Sequence, residues 1–383
     1  MHAVAVARKF EWPQKRLNLP KPLPVDPISA SATSRIEVIS VAPAEIFHRP
    51  LPALPADLEV RPYFHEHSIQ YSVDQYVAVL TGGSAWGCSH GAVFTCLGEF
   101  VPTFARDPWG PALHEVWRRP YLPAPKRVRG RALYLVTPEA ADNYHHWMID
   151  LLPRIGLVET AGFDLKAFDQ VIIDYAARPY QLETLQRLGI DPRRIVRLSA
   201  GDRIQPDELV VPSLKTDNQD VPLNQLEWLR KKFSMPVNPA ARRRRFYLSR
   251  AEAPTRRLLN EGEVFAMLQQ LGFEKVNLSR YGVREQAALL ASAEMVAGPS
   301  GAAFTNTVFC APGTQVIEFA SPRWLTVYHW MISARLGLEH TILMGEGAAP
   351  DRKLRINGRS ADLEIDVSKL SRVLQKLTNQ SVA

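Results

Sequence analysis

The sequence predicts an α/β protein of two lobes with an irregular leading segment. Three observations carry this. Strand and helix patterns alternate from residue 130 onward, a stretch of prolines and arginines at 235–245 interrupts the alternation once, and the residues before 130 show a proline-rich stretch and short strand-like runs without that alternation. Such alternation implies mostly parallel sheets covered by helices. A length of 383 residues suits two domains. We set the expected boundaries at 1–235 and 242–383.

Residues 12–62 are dense in proline, from Pro13 to Pro62. Proline fixes φ and removes a donor, so this stretch reads as an extended arm that wraps a domain. From 69 to 101, short apolar runs are broken by Gly82, Gly83, Gly87, Gly91 and Gly98, which reads as a β-meander. No helix follows those glycines, so they are turn residues and not a phosphate loop. Beyond Gly130 the order is strand 132–137, helix 143–159 with Pro153 inside it, strand 171–174, helix 179–188 stopped by Gly189, strands 195–198 and 209–214, and helix 223–233. After the 235–245 linker come strand 246–248 and a helix capped by Asn260 with Glu263 as its capping-box partner. Val264, Met267, Leu268 and Leu271 give that helix its apolar face. Strand 275–278, helix 283–293, strand 295–297, the loop Gly298-Pro299-Ser300-Gly301, helix 302–309 and strand 315–319 follow. A helix at 324–336, a hairpin at 355–366 turning at Asn357-Gly358, and a terminal helix carrying Leu370, Val373, Leu374 and Leu377 complete the chain.

Lys plus Arg less Asp plus Glu is 46 − 39 = +7, which favours an anionic partner. Basic and aromatic residues do not interleave in any nucleic-acid-binding module, so nucleic acid is not expected. Three scattered cysteines without a CxxC pair argue against a disulfide framework or a zinc ribbon. No apolar run reaches the ~18 residues that span a bilayer, and the first ten residues are too short and charged for a signal peptide. The expected setting is cytoplasmic, with peripheral contact at an anionic inner-membrane surface left open.

Four constellations carry chemistry. In Asn143-Tyr144-His145-His146-Trp147-Met148-Ile149-Asp150, His146 and Asp150 are four apart and share a helix face. A carboxylate beside an imidazole fixes its tautomer and raises its basicity, as a general base requires. Tyr144 and Trp147 offer flat faces to a sugar. The structural alternative is that Asp150 pairs with Arg154 and His146 is a core histidine. Second, the loop 298–301 joins an apolar strand to a helix, where glycines and free N–H groups suit a pyrophosphate; Ser300 adds a hydroxyl, and Thr305 and Asn306 lie one turn on. Third, Arg250 follows the carboxyl end of strand 246–248, where open α/β sheets place ligands, and an arginine fork suits phosphate oxygens. Fourth, Glu318 sits in a buried strand, where it needs either a ribose or a basic side chain as partner.

In this order the residues resemble the family 61 glycosyltransferases, including bacterial members of capsular and surface-polysaccharide synthesis. The segment 143–155, NYHHWMIDLLPRI, resembles the family's Asn-Tyr-x-His-Trp-x-x-Asp-x-x-Pro-Arg signature, with His146, Trp147, Asp150, Pro153 and Arg154 on matching positions. The segment 247–261 resembles its Ser-Arg…Arg-x-x-Asn-Glu block at Ser249, Arg250, Arg257, Asn260 and Glu261, and 298–319 resembles its Gly-x-His-Gly-Ala-Gly-x-x-Asn…Pro-Gly-Thr…Glu block. Ser300 stands where many members have histidine, and Ala303 where many have glycine.

The resemblance implies a GT-B fold: two Rossmann-like domains facing across a cleft. It also implies inverting transfer from a nucleotide-sugar, usually UDP-linked, to a hydroxyl of a glycan or lipid-linked acceptor. By this reading the donor meets Ser249, Arg250, Arg257, Asn260, Glu261, Ser300, Gly301, Ala302, Thr305, Asn306 and Glu318. The acceptor meets Asn143, Tyr144, Trp147 and Arg154, and either His146 or Asp150 is the base. No Asp-x-Asp pair is present, so neither a metal nor a cofactor is expected. A binding subunit without catalysis, acting within a polysaccharide assembly complex, is the alternative.

Overall fold

The computed structural model describes residues 35–53, 61–88, 90–105, 114–119, 122–137, 139–215, 221–234, 244–321, 323–346 and 361–380. The described residues within Met1–Glu45 and Val73–Thr216 form one compact unit, and those within Ile46–Ser72 and Asp217–Ala383 form another. Most of the expected arm, the linker at 235–243 and the Asn357-Gly358 turn lie outside the described residues.

The first unit is built on a six-stranded sheet in the order Ile36–Ala42, Gln75–Thr81, Glu208–Pro212, Arg131–Tyr134, Gln170–Ile172, Ile195–Val196. The first two strand pairings are antiparallel and the remaining three parallel. Ala132, Leu133, Tyr134, Leu209, Val210 and Val211 are fully buried, the continuous apolar run of strands covered on both faces. A second sheet orders Ala92–Phe94, Ser84–Trp86, Arg203–Gln205 and Lys126–Arg127.

The expected meander is not one sheet. Ile69–Tyr71 pairs with Ile46–His48 in the other unit, Gln75–Thr81 joins the six-stranded sheet, and only Ser84–Trp86 and Ala92–Phe94 form a hairpin together. Gly82, at φ +67°, starts the turn that takes the chain from one sheet to the next. Strand patterning reports faces, not partners, so the switch was invisible to it.

The second unit holds five parallel strands in the order Phe273–Val276, Arg244–Leu248, Ala293–Pro299, Gln315–Ala320, Glu339–Met344. The last was not expected from the sequence. Tyr247, Val264, Leu268, Ile317, Phe319 and Leu343 pack with Leu370 and Leu374 of the terminal helix Val367–Gln380 in one core. The described end of the arm, 49–53, belongs here. Ala53 bridges to Thr341 beside the edge strand, with Ala53 N–H donating to His340 O at 2.8 Å. Trp330 Nε1 donates to Pro50 O at 2.9 Å. Prolines tolerate such an edge because the N–H they lack is not needed there.

Helix Leu223–Phe233 also falls in this second unit, ahead of the expected boundary, with Arg230 donating to the carbonyls of Val308 and Cys310. Asn260 precedes helix Glu261–Gln270 as expected, but its side chain makes no capping bond. It pairs instead with the backbone of Ile365, donating to its carbonyl and accepting from its amide. The three cysteines are free, and no helix among the described residues is long and apolar enough to cross a membrane.

Candidate functional site

The first candidate cluster lies in the first unit, where the segment expected as one helix has two forms. His146–Leu151 is π-helical and Leu152–Thr160 is α-helical, with Pro153 in its first turn. Leu152 N–H donates to Trp147 O, five residues back. Single π turns inside helices recur at functional sites. Pro153 has no N–H for the carbonyl of Ile149, and Lys215 Nζ donates to that carbonyl at 3.3 Å.

The same ammonium lies 2.5 Å from Asp150 Oδ1. Asp150 Oδ2 accepts from His146 Nδ1 at 2.6 Å, and Glu139 Oε2 accepts from His146 Nε2 at 2.6 Å. His146, Asp150 and Lys215 are buried, while the Glu139 side chain is 55% exposed. With a carboxylate on each ring nitrogen, His146 is held as an imidazolium. Burial opposes its charge, but the hydrogen bonds to Asp150 and Glu139 outweigh burial and push its pKa up to about 9. Asp150 therefore pairs with His146 and Lys215.

The other residues expected here are placed differently. Trp147 is fully buried; its Nε1 donates to Thr184 Oγ1 at 2.9 Å and its ring meets Tyr180 edge-on, so its faces belong to the core and not to a sugar. Arg154, 1% exposed, donates to the carbonyls of Tyr134, Val136 and Pro212 and to Thr137 Oγ1, tying together the ends of two central strands. Tyr144 is partly exposed with its ring edge-on to Tyr180, and exposed Asn143 accepts from His145 N–H through Oδ1.

The second cluster gathers at the carboxyl ends of strands in the second unit. Gly298, at φ +153°, brings its backbone so close to Leu248 that an added Cβ would lie 2.6 Å from Leu248 O. Gly301 leaves room for Arg250, whose Nη1 would lie 2.0 Å from a Cβ there. Arg250 is braced by Thr255 O and Arg256 O, at 3.0 and 3.3 Å. Arg256 adopts a left-handed φ of +56°, and its buried Nε has no hydrogen-bond partner among the described residues.

Burial, then the charge of Arg256, lowers the Arg250 pKa to about 10. Burial lowers that of Arg256, with Glu318 opposing. Glu318 accepts from His329 Nδ1 at 2.6 Å and lies 3.2 Å from His340 Nε2. Burial alone would raise its pKa; His329 first and His340 next hold it well below the usual carboxylate range. Ser300 is buried and its N–H donates to Phe319 O.

Glu261 accepts from Ser249 Oγ at 2.6 Å, Tyr247 OH at 3.1 Å and Lys275 Nζ at 2.5 Å, a network that braces the end of strand Arg244–Leu248. Arg257 is turned to Asp362, with Nη2 donating at 2.8 Å. Gly301 precedes Ala302–Phe309, a 3₁₀ helix in which Thr305 and Asn306 are buried and Asn306 Nδ2 donates to Gln286 Oε1. The structure thus brings Arg250, Gly301, Arg256 and Glu318 together and directs Arg257, Asn260 and Asn306 to structural partners. Sequence reasoning missed Glu139, Lys215 and His340, and it read Arg256 as a surface arginine near a helix cap and His329 as part of a helix face. The one available signal was Pro153, whose missing N–H requires a donor from elsewhere for Ile149 O.

Residues 144–317 match the family model described as Glycosyltransferase 61. The match spans His146, Asp150, Arg250, Arg256 and Gly301, and over that part the chain is similar to the glycosyltransferases of that family. No curated protein matches the chain.

Proposed function

We propose that this chain is an inverting glycosyltransferase of GT-B organisation that moves a sugar from a nucleotide-sugar, UDP-linked, to a hydroxyl of a glycan or lipid-linked acceptor in bacterial surface-polysaccharide synthesis. The observation that carries the reading is the Arg250–Arg256 pair. Two partly buried guanidiniums side by side repel one another, and among the described residues neither has a carboxylate in hydrogen-bonding reach. A diphosphate supplies the missing negative charge, and its oxygens suit two forks. As the bond to the anomeric carbon breaks, negative charge grows on the leaving diphosphate, and fixed arginines stabilise it without the reorganisation that water would need. This assigns charge neutralisation to the protein's own side chains, with Gly301 and Ser300 lining the approach.

On the acceptor side, both Asp150 oxygens are engaged, so Asp150 orients and His146 is the group that takes the hydroxyl proton. The reading places the work in the cytoplasm, at the inner-membrane surface where a lipid-linked acceptor sits.

The test is to incubate the chain with UDP-, GDP-, CMP- and dTDP-sugars and to follow thermal stability and nucleotide release. A stabilising nucleotide with slow release supports the reading. If no nucleotide stabilises the fold, the donor assignment is overturned. Stabilisation with no release under any acceptor condition favours the binding subunit without catalysis, which the clamped His146 and the serine at 300 suggest.

A further inference from the structure

The acid–base group proposed above is closed in this structure. Glu139 stands on the ring nitrogen that an acceptor hydroxyl would need, 2.6 Å from Nε2. Its own placement is unusual. It holds a left-handed φ of +66°, which costs an ordinary residue of the order of 1 kcal/mol. The turn is closed by Asn143 N–H donating to Glu139 O at 3.1 Å. Its side chain is largely exposed while its partner ring is 7% exposed.

Among the described residues, Asp150, Lys215, Glu139 and His145 are charged or titratable groups around the ring. Asp150 on the same π turn holds Nδ1, Lys215 from beyond strand Glu208–Pro212 holds the far oxygen of Asp150, and Glu139 from the preceding turn holds Nε2. The ring of His145 lies edge-on at 5.5 Å. Asp150 first and Glu139 next raise the basicity of the ring, and of these two carboxylates only Glu139 is largely exposed.

We propose that Glu139 is a positioning residue for transfer: it reserves the Nε2 edge of His146 in the resting enzyme, and the entering acceptor hydroxyl displaces it. This rests on the glycosyltransferase reading. As Glu139 leaves, the ring loses that carboxylate and the Nε2 proton passes to water. The neutral imidazole then accepts the proton of the acceptor hydroxyl as its oxygen bonds to the anomeric carbon, and the nucleoside diphosphate departs with the electron pair of the broken bond. The imidazolium left behind returns to Glu139 once the product has gone. Glu139 thereby sets the lowest pH at which the base becomes available, and the exposure of its side chain is what lets it move.

The experiment compares the full-length wild type with Glu139→Gln. The first readout is the pH profile of kcat/KM for transfer. The second is the titration of the His146 ring followed by NMR, which needs no substrate. Glutamine retains the size and can still meet Nε2, but it removes the charge. The expected result is a fall of ~1 pH unit or more in both the His146 titration and the acid limb of the profile. An unmoved His146 titration overturns the proposal, whatever the chain transfers. A moved titration with transfer lost at every pH also overturns it, because Glu139 is then itself needed for the chemistry. If wild type and variant both release no nucleotide while the titration moves, the failure belongs to the glycosyltransferase reading and the coupling of Glu139 to His146 stands.

Discussion

Lys215 occupies the carbonyl that Pro153 leaves without a donor. Proline at 153 has no N–H to give Ile149 O, and the Lys215 ammonium reaches that oxygen at 3.3 Å while lying 2.5 Å from Asp150. A gap in the helix ladder is thus what locates the cation behind the His146–Asp150 couple.

Replacing Lys215 by Met should leave the buried Asp150 carboxylate without the ammonium that lies 2.5 Å from its Oδ1. Breaking one side of a buried pair costs about 3–5 kcal/mol. Urea unfolding of Lys215→Met should show a loss of that order. A loss below ~1 kcal/mol, the range of exposed pairs, would show that the contact matters little.

The two neighbouring arginines should separate cleanly. Arg250→Ala and Arg256→Ala should each weaken UDP binding ten- to hundredfold, about 1.5–3 kcal/mol for a charge-assisted contact. Arg257→Ala, which loses the exposed pair with Asp362, should bind UDP as the wild type does. Isothermal titration of the three variants checks this, and an Arg257 effect as large as the others would invalidate the cradle.

The two loop glycines should fail in different ways. Gly301→Ala puts a methyl 2.0 Å from Arg250 Nη1, so it should push the guanidinium aside and cut donor affinity, while its extended backbone accepts alanine and the melting temperature holds. Gly298→Ala meets the rigid Leu248 carbonyl at 2.6 Å with φ +153°, so it should lower the melting temperature itself. Melting and UDP titration on both variants read the contrast.

The His146 contacts give stability a pH window. The folded-state pKa is raised from 6.5 to about 9, so the folded state binds the proton more tightly than the unfolded chain. This contribution is complete below about 6.5 and disappears as pH rises through about 9. The wild-type melting temperature should therefore fall across that interval more steeply than that of His146→Gln. Equal slopes would show that the ring is not held as an imidazolium.

The parts of the site within reach of one turn were legible in the sequence, and the parts that needed folding were not. His146 and Asp150 are four apart, so their spacing alone put them together. The Gly298–Gly301 loop announced itself by an apolar strand on one side and small residues on the other. Lys215 arrives from a strand end far along the chain, and Glu139 from a turn with no period. Arg256 and Arg257 are adjacent in an irregular loop, so nothing in their spacing tells which meets Arg250; the left-handed backbone at Arg256 decides it. Trp147 and Arg154 misled because the helical segment is buried all round, where an aromatic or a guanidinium is as useful to packing as to a ligand. In the fold, the alternating strands and helices were readable, whereas the distribution of residues 69–94 among three sheets required knowledge of partners.

The bridge between Ala53 and Thr341 joins positions far apart along the chain. A ribosome delivers the edge-covering piece early and the edge it covers late, with residues 73–216 of the first unit emerging between them. Closing so long a loop is slow because its entropy must be surrendered before the pairing returns anything. The second unit therefore closes this edge only once Glu339–Met344 has emerged, and a nascent chain stalled ahead of Glu339 carries 49–53 without that partner.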